Sequence, residues 1–382
     1  MGFLRFVQQT RSTLGRYLSS PAPTVERTLN LVLGNESCDL DSAISALTLA
    51  FIYSQRQQQN DYVPVLNIPR LEYPLKTEVG YMLDKCGINQ SMLVFRDDLP
   101  EQLDERVKVI LVDHHISELA SLVKEIYDHR PLDKENPALK LLPKDAIVHL
   151  EPELGSCATL IGECYLAEDQ PQSADVSRLL HATIVLDTIN FSPAAKRFSH
   201  RDLVMVEKLE QKLNQQIDRQ ILFDELRAAR ADVSQLSLVQ VLRKDMKIIH
   251  TERQQVPMAG LPLLARDFVA QNGAEEAVRE FGRGSDLVCI LGMYVSPDDG
   301  EVQRDMALIS LTPETQLIKT LQQTLVEHEK PKLDLFPYEN DIKFMNGCFL
   351  SQGNVQATRK HILPVVRQVL LDWEERLGTC NC

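Results

Sequence analysis

From Leu29 onward, short apolar segments of strand length alternate with segments whose apolar residues recur at helical spacing. Residues 42–55, for example, form a helical pattern between the first two predicted strands. Strands that alternate with helices usually build a mostly parallel sheet. The sequence therefore predicts an α/β fold, with first-half strands at 29–33, 62–68, 92–95, 107–112 and 125–127.

The chain has 382 residues, which is more than one compact core usually holds, so two domains are expected. A second α/β pattern has predicted strands at 286–291, 305–311 and 347–350 and a final helix at 363–376. The polar segment between the patterns predicts a connecting helix. The predicted organisation is a candidate targeting segment (1–25), a first domain (26–207), the connecting helix (208–220) and a smaller second domain (221–382).

Charge and cysteine usage exclude several classes of protein. The chain has 41 Lys+Arg against 54 Asp+Glu, so a general nucleic-acid-binding surface would have to form against a net charge of -13. It lacks the run of about 18 to 20 apolar residues that a membrane-spanning helix needs. The eight cysteines show no C-x-x-C pairing, which favours reduced intracellular thiols over disulfides or a thiolate zinc site.

The first 25 residues differ from the rest of this acidic chain. They contain Arg5, Arg11 and Arg16, and no acidic residue occurs before Glu26. Arginine-rich, acid-poor segments of this kind are typical of mitochondrial targeting peptides. The alternative is an amphipathic helix that docks on the first domain. The segment therefore predicts a mitochondrial matrix location under the first interpretation and a cytoplasmic one under the second.

Four polar clusters follow the ends of apolar segments in the first domain. Because ligands of parallel sheets gather at the carboxyl ends of the strands, these clusters are the candidate site. One aspartate of the first cluster could cap the following helix, but a cap explains only one of the two. The clusters are Asp39 with Asp41, Asp113-His114-His115, Asp128-His129-Arg130, and Asp187.

The charge of these clusters predicts a metal site. Four aspartates cannot meet in a partly buried crevice without strong repulsion unless cations neutralise them. Carboxylate oxygens with one imidazole suit Mg²⁺ or Mn²⁺ better than they suit a thiolate-bound zinc ion. Two such ions about 3.5 to 4 Å apart can generate a hydroxide nucleophile and clamp the oxygens of a displacement at phosphorus. The predicted chemistry is phosphoryl hydrolysis.

The order Asn35-x-x-x-Asp39-x-Asp41, Asp113-His114-His115, Asp128-His129-Arg130 and Asp187 resembles the four motifs of the DHH phosphoesterase superfamily. That superfamily includes the family II inorganic pyrophosphatases, and the resemblance is closest to its exopolyphosphatase-like branch, the prune proteins. It extends from about Leu29 to the C terminus, where the second half is similar to a DHHA2 domain. The resemblance implies a DHH catalytic domain and a smaller DHHA2-like domain, with the active site in the cleft between them.

The resemblance also implies a role for each motif residue. Asp41, Asp113, His129 and Asp187 would bind one metal ion, and Asp39 with the bridging Asp113 would bind the other. Asn35 stands where the pyrophosphatases have histidine, which implies a weak oxygen ligand and a weakly held second ion.

Three further motif residues are catalytic candidates beside Asp113. Arg130 stands where the pyrophosphatases have a second histidine, and its guanidinium would clamp a substrate phosphate. His114 and His115 would orient ligands or protonate a leaving oxygen.

Further substrate ligands are implied outside these motifs. Ser156, in residues 155–159, resembles part of a phosphate-binding loop at a helix start, although its alternative role as a plain helix cap fits the residues equally well. Lys247, Arg359 and Lys360 lie in short basic groups that resemble the DHHA2 elements contacting substrate phosphates. Without the resemblance, such groups would be read as solvated surface.

The predicted function is a metal-dependent phosphohydrolase (an exopolyphosphatase) that cleaves phosphoanhydride bonds of short-chain inorganic polyphosphate through a metal-bound hydroxide. One alternative is a cyclic AMP phosphodiesterase that uses the same site. A second alternative is a scaffold with a weakened metal site that binds partners such as nucleoside diphosphate kinase, to which the resemblance links the chain.

Overall fold

The computed structural model describes residues 1–19, 28–56, 60–104, 106–133, 135–168, 173–214, 216–296, 298–339 and 342–379. It divides into two compact units, Met1–Asp232 and Val233–Cys382. Each unit combines helices with a β-sheet, so the predicted α/β class is confirmed. The six cysteines in the described part of the chain are free thiols. None of the described helices has the length and apolar character needed to cross a membrane.

The first unit contains a five-stranded sheet. Its strands are β1 (Leu29–Leu33), β2 (Asp61–Val65), β3 (Val107–Val112), β4 (Val123–Asp128) and β5 (Ile147–Leu150). Its helices are α1 (Phe3–Ser19), α2 (Leu40–Arg56), α3 (Thr77–Asp84), α4 (Cys157–Leu166), α5 (Ala174–Asp187), α6 (His200–Leu213) and α7 (Arg219–Ala231).

The strand order β2-β1-β3-β4-β5 places the candidate site. All four strand pairings described for this sheet are parallel, and Leu29 of β1 pairs with Asp61 on one side and Val107 on the other. The chain leaves β1 for β2 and then crosses to β3 on the opposite side, so the direction of winding reverses between β1 and β3. Ligands of open parallel sheets bind in the crevice beyond the strand ends at such a reversal.

Helix α1 is packed into the first unit. Phe3 and Phe6 are buried, and their ring centroids lie 5.3 and 5.6 Å from that of Phe51 on α2. Tyr17 donates a hydrogen bond of 2.9 Å to the carbonyl oxygen of Arg106. Residues 3–19 therefore form a helix that docks on the first unit, as the alternative interpretation predicts. Residues 20–25 of the candidate targeting segment lie outside the described residues. The cellular location stays a prediction.

The second unit contains a six-stranded sheet in the order β10-β11-β9-β8-β7-β6. Only the β7–β8 pairing is parallel among those described. The elements are α8 (Leu238–Lys244), β6 (Met246–His250), β7 (Gln255–Leu261), α9 (Ala265–Val269), α10 (Ala274–Phe281), β8 (Leu287–Val295), β9 (Val302–Ser310), α11 (Gln316–Val326), β10 (Leu335–Pro337), β11 (Asn346–Gln352) and α12 (Arg359–Thr379).

In the first unit one predicted strand is absent and one observed strand was missed, while the strand predicted at 62–68 ends earlier, at Val65. Residues 92–95 are not a strand: Gln90–Met92 is a 3₁₀ turn, and Phe95 makes only an isolated bridge with Leu66. Phe95 is fully buried, so its apolar character reflects core packing rather than sheet pairing. Strand β5 was not predicted because it is a short edge strand in which Ile147 and Val148 are exposed.

The predicted connecting helix at 208–220 is not one helix. Helix α6 ends at Leu213, and Asn214 then adopts a left-handed conformation with φ 48° that terminates it. Helix α7 starts after Asp218, whose side chain accepts hydrogen bonds from the backbone N–H groups of Gln220 and Ile221. Both helices belong to the first unit, so the division between units falls after Asp232 rather than after residue 220.

Candidate metal centre

Three side chains from separate elements of the first unit converge at the carboxyl end of the sheet. Asp41 lies in the first turn of α2, Asp113 directly follows β3, and His129 directly follows β4. One ligand atom from each lies within 4.8 Å of the other two. His129 Nε2 is 3.3 Å from Asp113 Oδ1 and 3.8 Å from Asp41 Oδ2. Both carboxylates are buried, so their charges are poorly solvated by water.

Asp39 and Asp187 line the same cavity, which has a volume of about 400 Å³. Asp39 Oδ1 accepts a 3.2 Å hydrogen bond from the backbone N–H of Ser42, so Asp39 caps α2. Asp187 ends α5, and its buried Oδ2 has no hydrogen-bond partner among the described residues. A buried carboxylate oxygen without a donor is costly, and an ion would supply the missing partner.

The backbone at the start of α4 holds Asp41 in place. Its Oδ2 accepts a hydrogen bond of 2.7 Å from the N–H of Cys157, and its Oδ1 accepts one of 2.8 Å from that of Ala158. These N–H groups are among those that a helix start leaves free, and the helix dipole favours a negative charge beside them. Ser45 Oγ donates a third bond of 3.2 Å to Oδ1.

Ser156 differs from its predicted role as a substrate ligand. It is fully buried, its Oγ accepts a hydrogen bond from the Ala158 N–H, and its side chain is hydrogen-bonded to Asp187. The α4 N–H groups expected to receive phosphate are instead occupied by Asp41. Ser156 is therefore the cap of α4, which was the alternative reading, and it positions Asp187.

The ring of His129 is oriented for metal binding. Its Nδ1 lies 3.0 Å from the carbonyl oxygen of Leu154, which can only accept a hydrogen bond, so Nδ1 carries the proton. Nε2 then faces Asp113 and Asp41. Fixing one ring nitrogen by a backbone carbonyl is the usual support of a metal-binding histidine.

The pKa shifts reflect the crowding of charge. Burial raises the pKa of Asp113 to about 7, with the charge of Asp41 adding to the effect. Burial, together with Asp41, Asp39 and Asp113, raises the pKa of Asp187 well above its usual range. Burial alone lowers the pKa of His129, but its contacts with Asp113 and Asp41 outweigh this and raise it to about 10. A protonated His129 therefore offsets some of the carboxylate charge when no ion is bound.

The donor set fits a divalent cation. It consists of carboxylate oxygens from Asp41, Asp113 and Asp187, with Asp39 at the cavity wall and one imidazole nitrogen from His129. An ion would favour the ionised carboxylates and the neutral imidazole, and it would therefore lower the pKa values that burial and crowding raise. Oxygen-rich sites with one imidazole suit hard to borderline ions.

Asn35 does not present its oxygen as the weak ligand that was predicted. Its Oδ1 accepts hydrogen bonds from Ser37 N (3.0 Å), Ser37 Oγ (2.7 Å) and Cys38 N (3.0 Å). Its Nδ2 donates to Asp113 Oδ2 at 2.7 Å and to the Asp113 carbonyl oxygen at 3.1 Å. The two backbone N–H donors fix this orientation, since a flipped amide would oppose donor to donor. Asn35 therefore stabilises Asp113 instead of offering an oxygen to an ion.

Asp128 is a central residue to which sequence reasoning gave no role. It is fully buried, and its Oδ2 lies 2.5 Å from Nδ1 of His115. Its Oδ1 accepts hydrogen bonds from the backbone N–H groups of His129 (2.8 Å) and Arg130 (3.2 Å). The sequence signal that could have indicated a role for Asp128 is its position directly before these two residues, in the same tripeptide. Asp128 fixes the turn that carries His129 into the cluster.

The predicted catalytic residues beside Asp113 occupy different environments. Arg130 lines the cavity with 43% of its side chain exposed, and its Nη1 donates to Asp113 Oδ1 at 2.8 Å. His115 is buried against Asp128, which fits an orienting role. His114 Nδ1 contacts the Val112 carbonyl, and its buried Nε2 lacks a partner among the described residues. Burial lowers the pKa of His114 and so favours its neutral form.

The three predicted substrate ligands of the second unit lie on β6 and at the start of α12. Arg359 donates to the Asp245 carbonyl oxygen and to Asp245 Oδ1, each at 2.8 Å. Lys247 and Lys360 are exposed. Their role as phosphate ligands, and the predicted cleft between the domains, stay predictions.

Sequence reasoning missed three charged residues that line the cavity, namely Glu153, Lys196 and Arg197. Glu153 precedes α4, and the two basic residues lie in the loop between α5 and α6. No motif marks them, because the loop reaches the cavity only through tertiary packing.

Replacing Asp187 by asparagine should stabilise the protein in EDTA and weaken its response to Mn²⁺. The substitution removes a carboxyl group whose ionisation is opposed by burial and by the neighbouring aspartates, and whose Oδ2 lacks a donor among the described residues, a situation that costs about 1–3 kcal/mol. Urea unfolding in EDTA and in excess Mn²⁺ measures both effects. Asp145→Asn, at an exposed position, is the control and should change neither value. A lower stability of Asp187→Asn in EDTA would contradict the crowded-carboxylate interpretation.

Comparison with known proteins identifies the family to which this chain belongs. A model of the DHHA2 domain matches residues 224–369. The chain is 33% identical over 366 residues to exopolyphosphatase PRUNE1 of Rattus norvegicus, covering 92% of this chain and 78% of that protein. It is also 33% identical over 358 residues to exopolyphosphatase PRUNE1 of Homo sapiens, covering 90% of this chain and 76% of the relative. This chain belongs to the prune family.

The family assignment confirms the resemblance found in the motifs, and the DHHA2 match confirms the character of the second half. The matched segment of this prune-family chain begins inside α7. A protein of Methanococcus jannaschii assigned as a family II inorganic pyrophosphatase has a similar structure, with a TM-score of 0.47 and 18% identity. The similarity covers 89% of this chain and 99% of that one, but the family assignment rests on the sequence relatives.

Proposed function

We propose that this chain is a metal-dependent hydrolase of phosphoanhydride bonds and that its substrate is short-chain inorganic polyphosphate. The observation that carries the proposal is the meeting of Asp41, Asp113 and His129 in one cavity. The same cavity contains Asp187, whose buried Oδ2 has no hydrogen-bond partner in the part of the chain that the structure describes. The prune-family relatives named exopolyphosphatases support the same reaction class.

The residues suited to hold divalent ions are Asp41, Asp113, His129 and Asp187, with Asp39 beside them. Mg²⁺ and Mn²⁺ are the proposed ions, and either would polarise a phosphoryl oxygen and activate water when bound. The chain itself orients the ligands, because the Leu154 carbonyl fixes the His129 ring.

Arg130 is the proposed phosphate contact nearest the cluster. One nitrogen of its guanidinium is anchored on Asp113, while much of the side chain remains exposed in the cavity. A guanidinium in this position can donate hydrogen bonds to phosphate oxygens and offset their charge.

The cavity lining favours a condensed phosphate over a cyclic nucleotide. Charged side chains dominate its wall, and the described lining residues include one aromatic ring, that of Phe198. A nucleobase is usually bound by apolar or aromatic walls with a few polar contacts. A chain of phosphates is bound by cations instead, and this lining offers three basic side chains together with carboxylates that could hold metal ions.

The proposal is tested by assaying tripolyphosphate, pyrophosphate and cyclic AMP in parallel with Mg²⁺ or Mn²⁺. Release of phosphate from tripolyphosphate, at a kcat/KM at least about tenfold above that for cyclic AMP, is the expected result. Preference for cyclic AMP would assign the site to phosphodiester hydrolysis. Absence of all three activities, without stoichiometric Mn²⁺ at saturation, would favour the scaffold and contradict the proposal.

A further inference from the structure

Two adjacent basic residues, Lys196 and Arg197, line the cavity that contains the carboxylate cluster. Both are exposed and belong to the first unit, in the loop between α5 and α6. This loop follows Asp187 directly in the sequence, so the connection that starts after a candidate metal ligand also brings two cations to the cavity.

These cations do not serve as counterions of the carboxylates. Among the described residues, neither Lys196 nor Arg197 forms an ion pair within 4 Å or donates a side-chain hydrogen bond. Asp113 is contacted instead by Arg130 at 2.8 Å and by His129 at 3.3 Å. Lys196 and Arg197 pair with none of the carboxylates of the same cavity among the described residues, so both remain available to an anionic ligand. A bound divalent ion would further favour anion binding by Lys196 and Arg197, because its positive charge would repel both side chains and keep them from pairing with the carboxylates.

The loop is held in place by buried contacts. Asp202 is fully buried, and its Oδ2 accepts hydrogen bonds from the backbone N–H groups of Gly155 (2.9 Å) and Ser199 (2.7 Å). Gly155 also lies directly against the loop, because a Cβ atom at this position would be 2.3 Å from the carbonyl oxygen of Arg197. The loop is thus fastened to the start of α4, whose backbone holds Asp41.

We infer that Lys196 and Arg197 form a phosphate-binding subsite of the first unit, which holds the part of a condensed inorganic phosphate that does not react. This inference rests on the proposed function and specifies where its substrate binds. A carboxylate-rich cavity repels a polyanion, so cations at its wall lower the cost of bringing the substrate to the metal centre. The Arg197 guanidinium can donate paired hydrogen bonds to one phosphate, whereas the Lys196 ammonium supplies a compact charge.

The test compares Lys196→Met, Arg197→Met and the double variant with Lys208→Met, which removes an equal charge from an exposed position on α6. Binding of imidodiphosphate, a pyrophosphate analogue with a hydrolysis-resistant bridge, is measured by calorimetry with saturating Mn²⁺. Each single substitution should weaken binding about tenfold, which corresponds to about 1.4 kcal/mol, because it removes one charged hydrogen-bond donor to phosphate, and the double substitution should weaken it about a hundredfold. Lys208→Met should stay within about twofold of the unsubstituted protein.

A second readout separates substrate binding from metal binding. The KM for tripolyphosphate should rise with the same ranking. The affinity for Mn²⁺ should not fall, because the removed side chains are cations and not metal ligands, and the thermal midpoint should stay unchanged because both side chains are exposed. Arg197→Lys should restore part of the loss.

The outcomes distinguish the subsite from the proposed function. If the unsubstituted protein binds imidodiphosphate but hydrolyses no phosphoanhydride, the function is wrong while weakened binding in the variants still supports the subsite. If the loop variants match Lys208→Met in both affinity and KM, the subsite is overturned while the function stands. An unsubstituted, Mn²⁺-saturated protein that fails to bind imidodiphosphate overturns the subsite as well.

Discussion

Replacing Asp113 by asparagine is expected to reduce kcat for tripolyphosphate by at least about a thousandfold. Asp113 lies between His129 and Arg130 and is one of the three side chains whose ligand atoms converge. Loss of its charge weakens metal binding, and metal ions contribute several kcal/mol to transition-state stabilisation, with about 1.36 kcal/mol for each factor of ten. Steady-state kinetics in excess Mn²⁺ measures the effect.

Asparagine preserves the shape of Asp113 and relieves the crowding of buried charge, so the variant should remain folded. Asp145→Asn is the matched control, because it makes the same chemical change at an exposed position of the first unit. It should retain the activity of the unsubstituted protein. An Asp113→Asn variant with more than about a tenth of that activity would show that the assigned centre does not perform the reaction.

The second large effect is expected at the N-terminal helix. Replacing Phe6 by alanine should lower the free energy of unfolding by about 3–5 kcal/mol, because Phe6 is 4% exposed and packs on Phe51 of α2. Gln8→Ala, at an exposed position of the same helix, should change it by no more than about 0.5 kcal/mol. Urea unfolding of the two variants makes the comparison.

Equal stability of Phe6→Ala and Gln8→Ala would mean that α1 is not part of the folded first unit. The expected large difference would instead make removal of this segment costly for the fold. The mitochondrial or cytoplasmic location is a separate prediction, checked by imaging tagged chains with and without residues 1–25. An unchanged distribution would dismiss the targeting interpretation.

The fold could be predicted wherever burial and sheet pairing coincide. The bounds predicted for β1 and β3 match the structure because these central strands are apolar and almost entirely buried. Phe95 is buried without joining the sheet, so it mimics a strand residue. Strand β5 gives the opposite error, because its mostly exposed residues join the sheet but were not predicted as a strand. The apolar pattern of a sequence indicates which residues are buried. Burial alone does not determine whether a residue pairs in a sheet.

The candidate site could be located from the sequence, since strand ends in a parallel sheet meet at one edge. The roles of several residues could not be read, because they depend on competition for hydrogen-bond donors. Asn35 has both a carbonyl and an amide group, and only the turn through Ser37 and Cys38 determines which one faces Asp113. Likewise, the α4 N–H groups could receive a substrate phosphate or a carboxylate, and Asp41 occupies them.

The most direct test of the metal centre is anomalous diffraction from crystals grown with Mn²⁺. We expect an anomalous peak within about 2.0–2.3 Å of carboxylate oxygens of Asp41 and Asp113 and of Nε2 of His129. Crystals in which manganese binds elsewhere, or in which these three side chains share no peak, would contradict this expectation.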